Sequence, residues 1–325
     1  MNRYVFAVDD RVYCCWDHDL PGRTEQFLSS IDGGYFEYVA TRYLEDIEGE
    51  NKQRAAVALR AAYHHGLETL FSLLGALTQA PEAVPAWIPN CSNTALKSLV
   101  RSLTRGDPVL TQRGRQRIRL VDLAELVHAY AWRDELPLGA TGERFGQLWL
   151  RFASDFLDEH HASEYNSIKH GFRVSSGGFV LRIGEETEFG VRAPEENMHT
   201  VGASPFGTRF LETEPVFAEN SMRHHIRIQQ VSLNWRAEAM VQRLHLISWS
   251  VNNVASALRC LNGAEPGTAK FERPADPGAF EAAWAWNVGV HASTFGSHID
   301  PSAVDPRPRP KLQLELESRE SADHA

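Results

Sequence analysis

Glu164-Tyr165-Asn166-Ser167-Ile168-Lys169-His170-Gly171 marks the place where this chain changes character. Before it, from Gly142 to His170, Leu150, Ala153, Leu157, His161, Tyr165 and Ile168 recur at helical spacing and trace one side of a helix. After it, Phe172–Val174 and Phe179–Ile183 flank Ser-Ser-Gly-Gly, the composition of a β-hairpin. Gly171 stands where a helix ends on a left-handed residue, so the octapeptide closes a helical region and opens a β-rich one.

Toward the N-terminus the helical pattern dominates. Asn51–Gln79 carries an apolar stripe through Leu59, Tyr63, Gly66, Leu70, Leu73 and Leu77, and Pro81 ends it. Shorter helices are expected over Tyr35–Ile47, Thr94–Leu103 and Val121–Trp132. Two β-like runs, Tyr4–Val8 and Val12–Trp16, bracket an Asp9-Asp10 turn. Toward the C-terminus, residues 184–220 are rich in Gly, Pro, Thr and Glu and leave room for two short strands. Ile226–Leu233 reads as a strand with a bulge near Gln230. A last long helix spans Asn234–Asn262, with a stripe from Leu244 to Leu261 and Gly263 as its stop. Phe280–Trp286 reads as a short docking helix. Pro301–Ala325, with its Pro-Arg repeats, reads as a disordered tail.

The fold class is therefore α+β: a predominantly α-helical bundle with a β-hairpin-rich insertion before the last long helix. The expected divisions are 1–22 (β-like segment), 23–171 (bundle), 172–233 (β-rich insertion), 234–300 (final helix and docking segment) and 301–325 (tail).

Composition limits the function. A net charge of −9 argues against indiscriminate nucleic-acid binding, so any such role needs a local basic patch. Cys14, Cys15, Cys91 and Cys260 have neither zinc-ribbon spacing nor the density of a disulfide framework. Met1–Leu20 carries four aspartates, unlike a signal peptide, and no apolar run reaches bilayer length. A cytoplasmic protein without membrane contact is expected.

Three groups of residues carry candidate chemistry. His64, Glu68 and Ser72 lie at i, i+4 and i+8, a polar line on an otherwise apolar helix that needs partners wherever it is buried. Lys169 and His170 sit at a helix end, where carbonyls favour cations. They can cap that end or grip a phosphate, and an imidazole can also move a proton. Arg113, Arg115, Arg117 and Arg119 alternate, so an extended segment places all four on one face: a solvated edge, or a strip for RNA phosphates. The i, i+3 pairs His65/Glu68 and Asp158/His161 have metal-ligand spacing, but the repeated Glu-x-x-His motif of bundle metal sites is missing. No metal and no cofactor are expected.

The run Asn166-Ser-Ile-Lys-His170-Gly-Phe172 resembles the motif of HEPN domains, Arg-Asn-x-x-x-His-Gly-aromatic on a helix of an α-helical bundle. Asn166 and His170 match; Tyr165 stands in place of the arginine. The resemblance implies RNA binding, with metal-independent endoribonuclease activity of a toxin or defence type, at a cleft formed by a homodimer. His170 would then act in acid–base chemistry, with Asn166, Lys169, Glu68 and His64 around it. The other reading is a non-catalytic helical interaction module that forms an oligomer or binds a partner protein. If the 51–79 and 142–170 helices pack together, Glu68 or His64 meets Asn166 or His170.

Overall fold

A computed structural model describes residues 1–132, 139–171, 173–191, 193–216, 225–286, 288–298 and 300. The chain opens with an antiparallel ribbon, β1 (Asn2–Val8) and β2 (Arg11–Asp17), in unbroken register from Asn2↔Asp17 to Val8↔Arg11. Asp9 takes a positive φ of 53° in the turn. Gln79 fixes that turn, accepting the Asp9 N–H at 2.9 Å and donating to the Asp9 carbonyl at 2.8 Å.

Helices follow: α1 (Leu20–Ser30), α2 (Tyr35–Leu44), α3 (Lys52–Gln79), α4 (Val84–Asn90) and α5 (Asn93–Arg105). Ser92 caps α5 by accepting the Ala95 N–H at 3.2 Å, and Gly106 ends it at φ 72°. A second ribbon, β3 (Pro108–Thr111) with β4 (Gly114–Arg117), leads into α6 (Leu120–His128) and α7 (Ala140–Leu157).

The expected 142–170 helix is two helices. Asp158 leaves helical dihedrals (φ −64°, ψ 130°) and caps α8 (Glu159–Lys169), its Oδ1 accepting the His161 N–H at 2.9 Å. This aspartate makes the corner because its carboxylate satisfies an amide that a continuous helix would have bonded to a carbonyl.

The strands β5 (Val174–Ser176), β6 (Phe179–Gly184), β7 (Met198–Ser204), β8 (Phe206–Val216) and β9 (His225–Trp235) come next. They precede α9 (Ala237–Leu261), α10 (Ala279–Ala282) and β10 (Ala292–Gly296). The hairpin expected across Ser175-Ser176-Gly177-Gly178 does not form. β5 joins a sheet of order β10-β9-β8-β5, whereas β6 pairs with β7 in a separate ribbon. Gly178 serves close approach instead of a two-residue turn, since a Cβ there would fall 1.6 Å from the Ser204 carbonyl oxygen, and Gly177 takes a positive φ of 134°. The bulge expected near Gln230 is not seen in the β9–β10 pairing, which runs without a shift from Gln229 to Leu233.

The fold is α+β, as its helices and small antiparallel sheets show. Its described residues divide into two compact units, Met1–Asn166 with Trp235–Val288, and Ser167–Asn234 with residues 289–300. In the first, α3 and α9 pack along their length. Gly66 permits the contact, since a Cβ there would lie 2.6 Å from Ile247 Cγ2. Leu59, Leu70, Leu74, Leu244, Ile247 and Val254 are fully buried between such faces. Burying each aliphatic side chain contributes roughly 1.5–3 kcal/mol. Residues 301–325, where the tail was expected, lie outside the described residues. No helix among the described residues is long and apolar enough to cross a membrane.

Candidate functional site

The polar line on α3 begins one turn earlier than His64, at Arg60. Both are buried (1% and 5% exposed), and both face Glu164 of α8, which is 0% exposed. Arg60 Nε donates to Glu164 Oε2 at 2.7 Å. Nη2 is also 2.7 Å from that oxygen but lacks hydrogen-bond alignment, so its attraction is coulombic. The Arg60 guanidinium lies 5.7 Å from the Tyr63 ring centroid and 5.8 Å from that of Trp235. Burial by itself raises a carboxyl pKa, but Arg60 and His64 outweigh it and hold Glu164 well below the carboxylate range.

His64 Nε2 is 3.0 Å from the same Glu164 oxygen. Burial first, and then the Arg60 charge, push its pKa below the usual histidine value, so the ring is neutral at pH 7. A carboxylate only accepts, so Nε2–H is the donor and the tautomer is set. The His64 ring stacks on Tyr165, centroids 5.2 Å apart, and Tyr165 O–H donates to Glu68 Oε2 at 3.1 Å. His161, also on α8, lies 6.0 Å from His64 between centroids, and its Nδ1 is 3.2 Å from the Asp155 carbonyl oxygen. Burial and then Arg60 pull its pKa down to about 4. The Asp155 carboxylate is held below its usual range despite burial, by Arg243 at 3.0 Å and by the Tyr63 hydroxyl.

His64, Glu68, Asp155, His161 and Tyr165 from this network line a cavity of about 350 Å3 in the first unit. His64 and Glu68 of α3 line one side, and His161, Tyr165 and Asn166 of α8 another. Asn93, Thr94, Lys97 and Arg101 of α5 complete it, with Asp155 and Phe156 of α7. Lys97 and Arg101 are one helical turn apart, half-buried and exposed respectively. Neither has a hydrogen-bond partner or counter-ion among the described residues. Of the acidic groups nearby, Glu164 is paired with Arg60 and Asp155 with Arg243, while Glu68 accepts the Tyr165 O–H, a hydrogen bond that brings no charge. The cavity thus sets two cations, Lys97 and Arg101, against the one Glu68 carboxylate, beside two neutral imidazoles, a balance that favours an anion with hydrogen-bonding oxygens at the Lys97–Arg101 side.

Of the residues singled out from sequence, His64, Glu68 and Asn166 line this one cavity. His64 and Glu68 reach Glu164 and Tyr165, the two residues just before Asn166. Lys169 and His170 are exposed, belong to the second unit, and are not among the cavity's lining residues. There the helix end is closed by Arg173 N–H to the Ser167 carbonyl at 2.7 Å, with Gly171 at φ 95°.

The four arginines do not form one face. Arg115 and Arg117 lie on β4, while Arg113 precedes that strand and Arg119 caps α6. Arg115 pairs with Asp10 at 2.9 Å, Arg119 grips Asp122 at 2.6 Å, and Arg117 reaches the Gly106 carbonyl at 3.5 Å. The alternation holds over the strand alone, because the chain turns into a helix at Leu120. Among the described residues, no cluster of three or more His, Cys, Asp or Glu side chains could hold a metal ion.

Sequence reasoning passed over Arg60, Lys97 and Arg101, and read Glu164 as the start of the octapeptide without giving it a role in the site. Arg60 had a signal, since it extends the i, i+4 line of His64, Glu68 and Ser72 by one turn. Lys97 and Arg101 had none beyond their own four-residue spacing. Comparison of the chain with models of protein families, with curated proteins and with solved structures finds no significant match to any of them.

Proposed function

We propose that the helical unit binds single-stranded RNA by taking a backbone phosphate into this cavity, a function in keeping with the HEPN-like run at Asn166 and His170. The observation that carries the reading is Lys97 and Arg101, cations without counter-ions on the wall of a cavity that also holds His64, His161 and Asn166. A guanidinium and an ammonium attract phosphate oxygens, the former with two parallel donors. The Asn166 amide adds a donor, and the neutral imidazoles add groups able to meet a ribose hydroxyl. No step needs a metal. A histidine with a pKa of about 4 is a weak base at pH 7, so binding, not cleavage, is the primary activity of this reading.

The test is fluorescence anisotropy with a labelled single-stranded RNA in chelator and low salt. The wild type binds, and Lys97→Ala/Arg101→Ala weakens binding by roughly tenfold or more, as two lost phosphate contacts require. His170→Ala leaves affinity unchanged. Absence of binding by the wild type under these conditions rejects the reading.

One observation favours a second reading, an interaction module. Val5, Val12 and Trp16 are 47%, 67% and 55% exposed on one face of the β1–β2 ribbon. An apolar face of this kind is a common site of association. Light scattering on the purified chain decides it: a monomer at micromolar concentration excludes self-association, and a dimer broken by Trp16→Lys supports it.

A further inference from the structure

The charged cavity borders on another. Glu68 and Asn93 line it, and the same two residues line a second cavity of about 410 Å3 in the same unit. The two spaces therefore share a wall, and their chemistry differs. No lysine or arginine lines the second cavity. Phe27, Ile31 and Ile88 offer half-buried apolar surface, Ser72 offers a hydroxyl, Thr69 offers an acceptor oxygen whose proton goes to the His65 carbonyl at 2.9 Å, and His65 offers an imidazole. The His65 ring packs edge-on against Phe36 at 5.6 Å, which fixes its plane.

We propose that the two cavities form one bipartite nucleotide site: the charged cavity holds a phosphate, and the apolar cavity takes the attached base out of the stack. This inference rests on the RNA reading above and names the ligand unit. A phosphate and a base are held apart by a ribose, and the shared wall presents a carboxylate and an amide at that point. Glu68 accepts from a ribose hydroxyl, Asn93 donates to one, and this distinguishes RNA from DNA. A flat aromatic base lies against Phe27, Ile31 and Ile88, with its polar edge toward Thr69, Ser72 and His65. A space of about 400 Å3 is within the range of sites that enclose one such group. A base already paired in a duplex cannot enter, so the site selects single strands.

The experiment compares uridine and adenosine ribohexamers with an abasic ribohexamer, on the wild type and on Ser72→Trp, which fills the apolar cavity. The wild type is expected to bind the base-bearing strands about tenfold or more tightly than the abasic one, the loss that one unstacked contact predicts. Ser72→Trp brings the base-bearing strands down to the abasic affinity and leaves the abasic affinity itself unchanged. That second value also reports that the variant is folded and its charged half intact. Should Ser72→Trp fail to fold, Ile88→Ala, which removes one of the three apolar contacts, is expected to narrow the gap between base-bearing and abasic strands, and an unchanged gap overturns the apolar half of the site. Equal wild-type affinity for base-bearing and abasic strands overturns the bipartite site while leaving phosphate binding in place. Failure of every strand to bind the wild type overturns both.

Discussion

Glu164 is the residue on which the helical unit's polar interior turns. It is a fully buried carboxylate that neutralises a fully buried guanidinium and fixes a histidine tautomer. Removing one partner of a buried pair leaves the other charge uncompensated, so Glu164→Ala should lower stability by about 3–5 kcal/mol. Arg60→Met with Glu164→Leu, which removes both charges, should cost less than Glu164→Ala alone; urea melts at pH 7 measure the difference. The buried histidines add a pH dependence of definite sign. His161 titrates near 4 when folded, against 6.5 unfolded. Between those values the unfolded chain binds more protons, so stability is complete above pH 6.5 and declines as pH falls toward 4. The loss from this one group is on the order of 3 kcal/mol at most. His161→Gln should flatten the urea midpoint between pH 6.5 and 4, and an unchanged slope in that variant would remove His161 from the account. Of these residues, the sequence made His64 and Glu68 legible, because four-residue spacing puts polar groups in line on an apolar helix. Lys97 and Arg101 were not legible. On an amphipathic helix two cations look like solvated surface until the neighbouring helices are in place.

At the scale of elements, stripes of apolar residues foretold α3 and α9, the pair that makes the core, to within a few residues. The break at Asp158 was hidden because Leu157-Asp158-Glu159 carries no glycine or proline, and only the capping bond to His161 marks it. Asp158→Ala removes that cap and should cost about 1 kcal/mol. It should also speed amide exchange in the first turn of α8 more than elsewhere, as hydrogen exchange by mass spectrometry would show. Exchange rising evenly through the unit would mean that the cap holds the fold and not the corner. Strand partners were hidden for another reason. β5 and β6 flank an ideal turn composition, yet each finds its partner elsewhere in the chain, and pairing of that kind leaves no local pattern. Gly178→Ala tests whether close approach is the reason. With a carbonyl oxygen 1.6 Å from the added carbon, the variant should unfold the β6–β7 ribbon or abolish soluble expression, and a wild-type melt would refute the steric argument.

For the molecule as a whole, the question is how a chain of net charge −9 could hold RNA at all. Long-range repulsion slows the approach of a polyanion, and salt screens it. Local phosphate contacts attract, and salt weakens those through counter-ion competition. The observed salt dependence of affinity is the difference of the two, so the wild-type slope by itself says little. The change in slope between variants isolates the local contacts, because the global field hardly alters when one or two charges are lost. If Lys97 and Arg101 each meet a phosphate, Lys97→Ala/Arg101→Ala should reduce the slope of log K against log salt by roughly 1.4, about 0.7 for each contact with a single strand. Arg115→Ala/Arg117→Ala removes the same charge from the exposed ribbon, where Asp10 already partners Arg115. Its slope should stay near the wild-type value. The opposite ranking, with the ribbon variant flattened and the cavity variant unchanged, would place RNA on the β3–β4 strip and leave the cavity as a buried polar network that sets the packing of α3 against α8.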